Sequence, residues 1–144
     1  MEKNIDYENI GRYFSQMYRK GRIFYTQELK KFGLGSGQSI FLFQLYKKDG
    51  VTQEELANTL YIDKGTTARS LKTLEEQGFI KKEHVISDKR LNIIYLTEKA
   101  LKLEEEITNI LKKWDGILSN SLSSEEKETL LQLLKKISDS NGLK

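Results

Sequence analysis

The chain has 144 residues, 38% hydrophobic and 31% charged, with a formal net charge of +3; that is one ordinary domain, long enough to bury a core. With no Cys and a single His, His84, it excludes disulfides, thiolate metal sites, thiol redox sensing and a His-rich zinc centre. No apolar stretch reaches the roughly 18 to 20 residues of a membrane span, and MEKNIDYENIGRY lacks the apolar run of a signal peptide, so a cytoplasmic location is expected.

Helix signals dominate in chain order. Over residues 7–32, Ile10, Phe14, Met17, Tyr18, Gly21, Phe24, Tyr25, Leu29 and Phe32 recur at spacings of three and four, one apolar stripe on a long helix. Leu34-Gly35-Ser36-Gly37 breaks it. A second helix, Gln38 to Lys48, carries Ile40, Phe41, Leu42, Phe43, Leu45 and Tyr46 nearly all round, the pattern of a helix buried on several sides, and Asp49-Gly50 ends it. Thr52-Gln53-Glu54-Glu55 is a capping box with Val51 and Leu56 as its staple, opening a short helix to about Leu60. Tyr61-Ile62 form a turn, and Asp63 caps a helix from Lys64 to Gln77 that stops at Gly78.

Phe79 to Val85 and Leu91 to Leu96 read as two strands joined by the turn Ile86-Ser87-Asp88-Lys89-Arg90. In the second strand Leu91, Ile93 and Tyr95 fall on one side, Asn92 and Ile94 on the other. Thr97 caps a long helix in which Leu103, Ile107, Ile110, Trp114 and Ile117 form a heptad-like seam. A second capping box, Ser123 to Glu126, opens a last helix bearing Leu130, Leu133, Leu134 and Ile137. The order helix, turn, helix, strand, charged turn, strand, helix is that of a winged helix-turn-helix. The fold class expected is mainly α with a small β-wing: a winged helix-turn-helix core over 36–96, flanked by helices over 1–35 and 97–144, all in a single domain.

On the helix from Lys64, steps of 100° turn Thr67, Leu71 and Leu74 inward, with Ala68 at the edge, and Gly65, Thr66, Arg69, Lys72 and Thr73 outward. Short hydroxyls and cations at such a helix suit a DNA major groove; Arg69 can bridge to a guanine or hold a phosphate. At the hairpin, Arg90 can reach down a minor groove, where negative potential is focused. Asp88 can orient that guanidinium by a charge-assisted hydrogen bond. The candidate DNA-binding set is Lys64, Thr66, Thr67, Arg69, Ser70, Lys72, Thr73, Asp88, Lys89 and Arg90. The basic surplus avoids the C-terminal third, where residues 97–144 hold eight Lys/Arg against nine Asp/Glu.

The stretch TQEELANTLYIDKGTTARSLKTLEEQGFIKKEHVISDKRLNIIYLTEKA, with its core LEEQGFI, SDKR and LTEKA, resembles the MarR family of bacterial transcription regulators. The Asp-x-Arg wing is characteristic of that family, and the resemblance extends more loosely over the whole chain. It implies a homodimer joined through the N- and C-terminal helices, reading a pseudo-palindromic double-stranded operator. By resemblance, Asp88 and Arg90 are the wing pair, and Thr66, Thr67 and Arg69 lie on the recognition helix. The inward turn of Thr67 demotes it, and the family often has an apolar residue there. Ala100 stands where many members have Gly.

The seam from Leu103 to Ile117 and the Leu-rich last helix, with Ile5 and Ile10, offer more apolar surface than a small wing domain covers alone, which independently points to a dimer. A two-fold pair would set its recognition helices about 34 Å apart, one DNA turn. The resemblance also implies release from DNA by a small aromatic or anionic effector. Candidates are Phe14, Tyr18, Tyr25, Phe41 and Tyr46, with Arg22 as anion partner; the same aromatic spacing equally serves a plain core. No cofactor or metal is expected. No nucleophile–base constellation or phosphate-cradling loop suggests an enzyme. A sequence-specific regulator of transcription that binds double-stranded DNA is therefore expected, a homodimeric repressor released by a small organic effector; the alternative is a winged-helix protein-interaction module without specific DNA binding, for which Thr66, Arg69, Lys72 and Arg90 are the wrong chemistry.

Overall fold

The computed structural model describes residues 1–4 and 8–140, the side chains of Lys89 and Arg90 excepted. Its elements are α1 (Ile10–Leu29), a 3-10 turn (Lys30–Phe32), α2 (Ser36–Lys47), β1 (Val51–Thr52), α3 (Gln53–Leu60), α4 (Lys64–Glu76), β2 (Ile80–Val85), β3 (Asp88–Leu96), α5 (Glu98–Lys102), α6 (Glu104–Ser119) and α7 (Ser124–Ser140). They divide into two compact units, residues 1–110 and 111–144.

In the first unit, helix ends follow local chemistry. Asn9 Oδ1 accepts from Arg12 N at 2.9 Å, so α1 starts at Ile10; residue 7, where the expected stretch begins, lies outside the described residues. The helix tightens to 3-10 geometry before Gly33, which sits in the left-handed region at φ 71°. α2 starts at Ser36, two residues before the predicted Gln38, with Gly35 at its N-cap, where Gln38 Oε1 accepts from Gly35 N at 3.2 Å. Phe41, Leu42 and Leu45 of α2 are fully buried, as expected of a helix apolar all round. Thr52 Oγ1 caps α3 by accepting from Glu55 N at 3.1 Å, while the Glu55 carboxylate pairs with Lys48 Nζ at 2.8 Å.

The core joins Leu29, Phe41, Leu45, Leu56, Leu71, Leu74, Phe79, Ile94 and Ile107, all within the first unit. Leu71 and Leu74 have no exposure. Burial of each such side chain contributes about 1.5–3 kcal/mol, which seats α4 firmly with its opposite face outward.

Three expectations are corrected. The sheet has three strands, in the order β1-β3-β2, because Val51 and Thr52 pair with Ile94 and Ile93; two residues are too few to show a period. The hairpin turn is shorter than predicted: Val85 pairs with Asp88, so only Ile86 and Ser87 lie between the strands. Asp88, Lys89 and Arg90 therefore belong to β3, and the register shift between His84 and Val85 places Lys89, Arg90 and Leu91 in a bulge. The helix after Thr97 is interrupted at Leu103, separating α5 from α6.

In the second unit, the capping box at α7 forms as predicted. Ser123 N donates to Glu126 Oε1 at 2.9 Å and Glu126 N donates to Ser123 Oγ at 3.1 Å. Lys127 Nζ pairs with Asp115 at 2.6 Å. Leu130, Leu131, Leu133 and Ile137 of α7 are exposed. Ile10 is exposed on α1, and Ile5 lies outside the described residues. Among the described residues, no helix is long and apolar enough to cross a membrane.

Candidate nucleic-acid interface

The outward face of α4 is built from its N-terminus. Asp63 Oδ1 accepts from Thr66 N at 2.7 Å, capping the helix, and Asp63 Oδ2 accepts from Thr66 Oγ1 at 2.7 Å. Arg69 Nη2 in turn donates to Thr66 Oγ1 at 3.1 Å. These bonds line up a carboxylate, a hydroxyl and a guanidinium along the start of the helix. The two Thr66 bonds, with a smaller contribution from the Arg69 charge, hold the Asp63 carboxyl below its usual range. Gly65 makes room for the arrangement: a Cβ there would stand 3.2 Å from Arg69 Nη1. From the sequence alone Asp63 is a cap and no more; DKGT, with an acid, a Gly and a hydroxyl inside four residues, is the signal for the wider role.

Lys64, Arg69 and Lys72 are exposed, and Thr66 and Thr73 are half-buried. Thr73 Oγ1 donates to Arg69 O at 3.1 Å. Thr67 is fully buried, as the helical wheel predicts, and Ser70 is buried at 7% exposure. Ser70 follows Thr67 by three residues and so shares its inward face; neither side chain belongs to the outer surface of α4. What remains outward is a set of cations and short hydroxyls that can donate to phosphate oxygens or, through Arg69, to a guanine edge.

The C-terminal end of α4 is tied to its surroundings. Gly78, at φ 81°, takes the left-handed conformation that ends the helix. Thr97 Oγ1 donates to Gly78 O at 2.6 Å, and Lys99 Nζ donates to Gln77 O at 2.7 Å while lying over the Phe79 ring. Gln77 Nε2 donates to Gly33 O at 2.6 Å. Asp49 Oδ1 accepts from Leu96 N at 2.9 Å, which pins the far end of β3. These bonds fasten the C-terminal end of α4 to Gly33, Thr97 and Lys99, and the end of β3 to Asp49. Asp88 is half-buried at the start of β3, and the expected Asp88–Arg90 pair lies outside the described side chains.

The effector candidates separate. Phe14, Tyr18 and Arg22 are exposed on α1. Tyr25 is half-buried, with its ring 5.6 Å from Phe24 and 6.0 Å from Phe43. Phe41 has no exposure and belongs to the core rather than to a ligand-facing wall. The Tyr46 hydroxyl donates to Ala100 O at 2.6 Å, and burial pushes its pKa up to about 12, with the Glu104 charge adding to the shift.

A model of the MarR family matches residues 32–91. The HTH-type transcriptional regulator BilQ of Clostridium symbiosum is 36% identical over 131 residues, which cover 90% of this chain and 91% of that protein. Among solved structures, a MarR transcriptional regulator from Methanosarcina mazei matches with a TM-score of 0.87 at 36% identity, covering 90% of this chain and 94% of that one. MepR of S. aureus, in a structure of its DNA complex, matches with a TM-score of 0.83 at 28% identity, covering 92% and 98%.

Proposed function

The chain belongs to the MarR family of winged helix-turn-helix transcription regulators, and from that premise we propose that it acts as a homodimeric repressor, reading DNA with α4 and the β2–β3 wing. It is a DNA-binding regulator of transcription. The observation that carries the assignment of residues is the outward face of α4, where Asp63 orients the Thr66 hydroxyl, Thr66 accepts from the Arg69 guanidinium, and Lys64 and Lys72 are exposed on the same helix. Lys64, Thr66, Arg69, Lys72 and Thr73 face the major groove; Lys89 and Arg90 in the bulged start of β3 enter the minor groove. The work is binding, without a chemical step, and takes place in the cytoplasm.

Dimerisation is supported by apolar side chains left in water on single units: Leu130, Leu131, Leu133 and Ile137 on α7, and Ile10 on α1. A small organic effector, aromatic or anionic, releases the dimer from its operator. Phe14, Tyr18 and Arg22, exposed on α1, are the residues through which it would act, with Tyr25 beside them. Such a ligand removes DNA binding only to the extent that it prefers the DNA-incompetent state.

The test is fluorescence anisotropy on the duplex upstream of the protein's own gene and on a scrambled duplex, over a salt series, with Arg69→Ala and Arg90→Ala in parallel. The expected result is salt-sensitive binding that prefers the native duplex and weakens in both variants. Equal binding of both duplexes, unchanged by either substitution, would overturn the assignment. Light scattering that gives a monomer at micromolar concentration would overturn the dimer.

A further inference from the structure

Helices α3 and α4 end in the same hydrogen-bond pattern. At the end of α4, Gly78 N donates to Glu75 O at 3.0 Å and Phe79 N to Leu74 O at 2.9 Å. At the end of α3, Tyr61 N donates to Asn58 O at 3.4 Å and Ile62 N to Ala57 O at 3.1 Å. This is the Schellman turn, whose pivot residue takes the left-handed conformation and is usually Gly. Gly78 supplies it at φ 81°, but the pivot of α3 is Tyr61, at φ 55°. Gly33 and Gly50 hold the other left-handed positions among the described residues. A bulky side chain in that region is strained, and such strain gathers at sites of function.

Packing does not account for the Tyr. It is 83% exposed, whereas its neighbour Ile62 packs against the core. The turn thus sends Ile62 inward and Tyr61 outward. The Tyr61 hydroxyl has no hydrogen-bond partner among the described residues. Two residues on, Asp63 caps α4 and orients Thr66, and the exposed Lys64 follows. A helix about 10–12 Å across fills a major groove about 12 Å wide. The residues that lead into such a helix therefore lie against the groove wall, which is made of phosphates.

We propose that Tyr61 is a DNA-backbone contact: its hydroxyl donates to a phosphate oxygen at the wall of the groove that α4 enters. The contact rests on the DNA-binding reading and adds to it a residue of the turn. Its partner is a phosphate and not a base, so it contributes affinity and position without sequence preference.

The test is fluorescence anisotropy on the native and scrambled duplexes over a salt series, with Tyr61→Phe, Tyr61→Gly and Lys64→Ala. Tyr61→Phe keeps the ring and the turn, so a loss of binding belongs to the hydroxyl. It should weaken binding about five- to tenfold, by the same factor on both duplexes. The slope of log K against log salt should stay the same, because a neutral phenol releases no counterion; Lys64→Ala should lower its magnitude by about one. Tyr61→Gly should bind at least as weakly as Tyr61→Phe while unfolding at a higher urea concentration, since it loses the hydroxyl and relieves the strain. Replacing single phosphates by methylphosphonate should reveal a position that weakens the wild type and leaves Tyr61→Phe unaffected. Binding unchanged in Tyr61→Phe, an effect on the native duplex alone, or a methylphosphonate scan identical in wild type and variant would overturn the contact and leave the DNA reading standing. Failure of the wild type to bind either duplex would overturn that reading, and the contact with it.

Discussion

Replacing Tyr46 with Phe separates a structural hydroxyl from a ligand-facing one. The Tyr46 hydroxyl donates to Ala100 O at 2.6 Å, from α2 to α5 across the half-buried edge of the core. Loss of one such bond, with the Ala100 carbonyl left to find water, costs about 1 kcal/mol. The pKa is raised from 10.0 to about 12, so the neutral phenol is the form that the fold favours. Stability from this group is fully present below pH 10 and is lost as pH rises through the folded value. For a fully enclosed group the shift would correspond to about 2.7 kcal/mol; partial exposure to solvent reduces this to roughly 1 kcal/mol. Tyr46→Phe lacks the titration. Urea unfolding at fixed protein concentration should show the variant less stable by about 1 kcal/mol at pH 8, with a midpoint lower by about 0.5 M. The gap should close as pH rises from 10 towards 12, because only the wild type loses this contribution. Equal stability at pH 8 together with parallel curves above pH 10 would refute the reasoning and return Tyr46 to the effector candidates.

Other expectations follow from the same geometry. Asp63→Asn keeps a capping acceptor but removes the charge; since the folded carboxyl titrates below its ordinary 3.8, wild-type stability relative to the variant should be constant above about pH 4 to 5 and decline as pH falls through the lowered value, as followed by far-ultraviolet circular dichroism. Thr97→Val removes the hydroxyl that donates to Gly78 O and accepts from Ala100 N, and should cost about 1–2 kcal/mol in urea unfolding. Tyr61 is a non-Gly residue at φ 55° between α3 and α4 and is largely exposed; Tyr61→Gly should raise stability by roughly 0.5 kcal/mol, the relief of left-handed strain exceeding the added chain entropy. An unchanged or lower unfolding midpoint for this variant would show that the Tyr side chain makes a compensating contact.

Much of the candidate interface was legible because it rests on local rules. The cap at Asp63, the stop at Gly78 and the inward turn of Thr67, Leu71 and Leu74 depend on residues three or four positions apart. The same arithmetic, applied to Ser70, would have placed it inward with Thr67. Aromatic spacing on α1 and α2 was less informative. Periodicity says which residues share a face, but whether that face meets a core or a ligand depends on what packs opposite. Phe41 became core and Tyr46 bonded to Ala100, fifty-four residues away.

By itself the sequence determined the order of elements, the caps that start α3, α4, α5 and α7, and the winged arrangement of helix and hairpin, since each depends on neighbours along the chain. Only the tertiary structure decided what distant segments do to one another. Val51 and Thr52 become a strand because β3 offers its edge, and the helix after Thr97 breaks at Leu103 despite a continuous apolar seam. Asp49 reaches the backbone of Leu96, and Thr66 joins Asp63 to Arg69. Hydrogen bonds and burial between remote residues carry no period, so they appear only when the chain is folded.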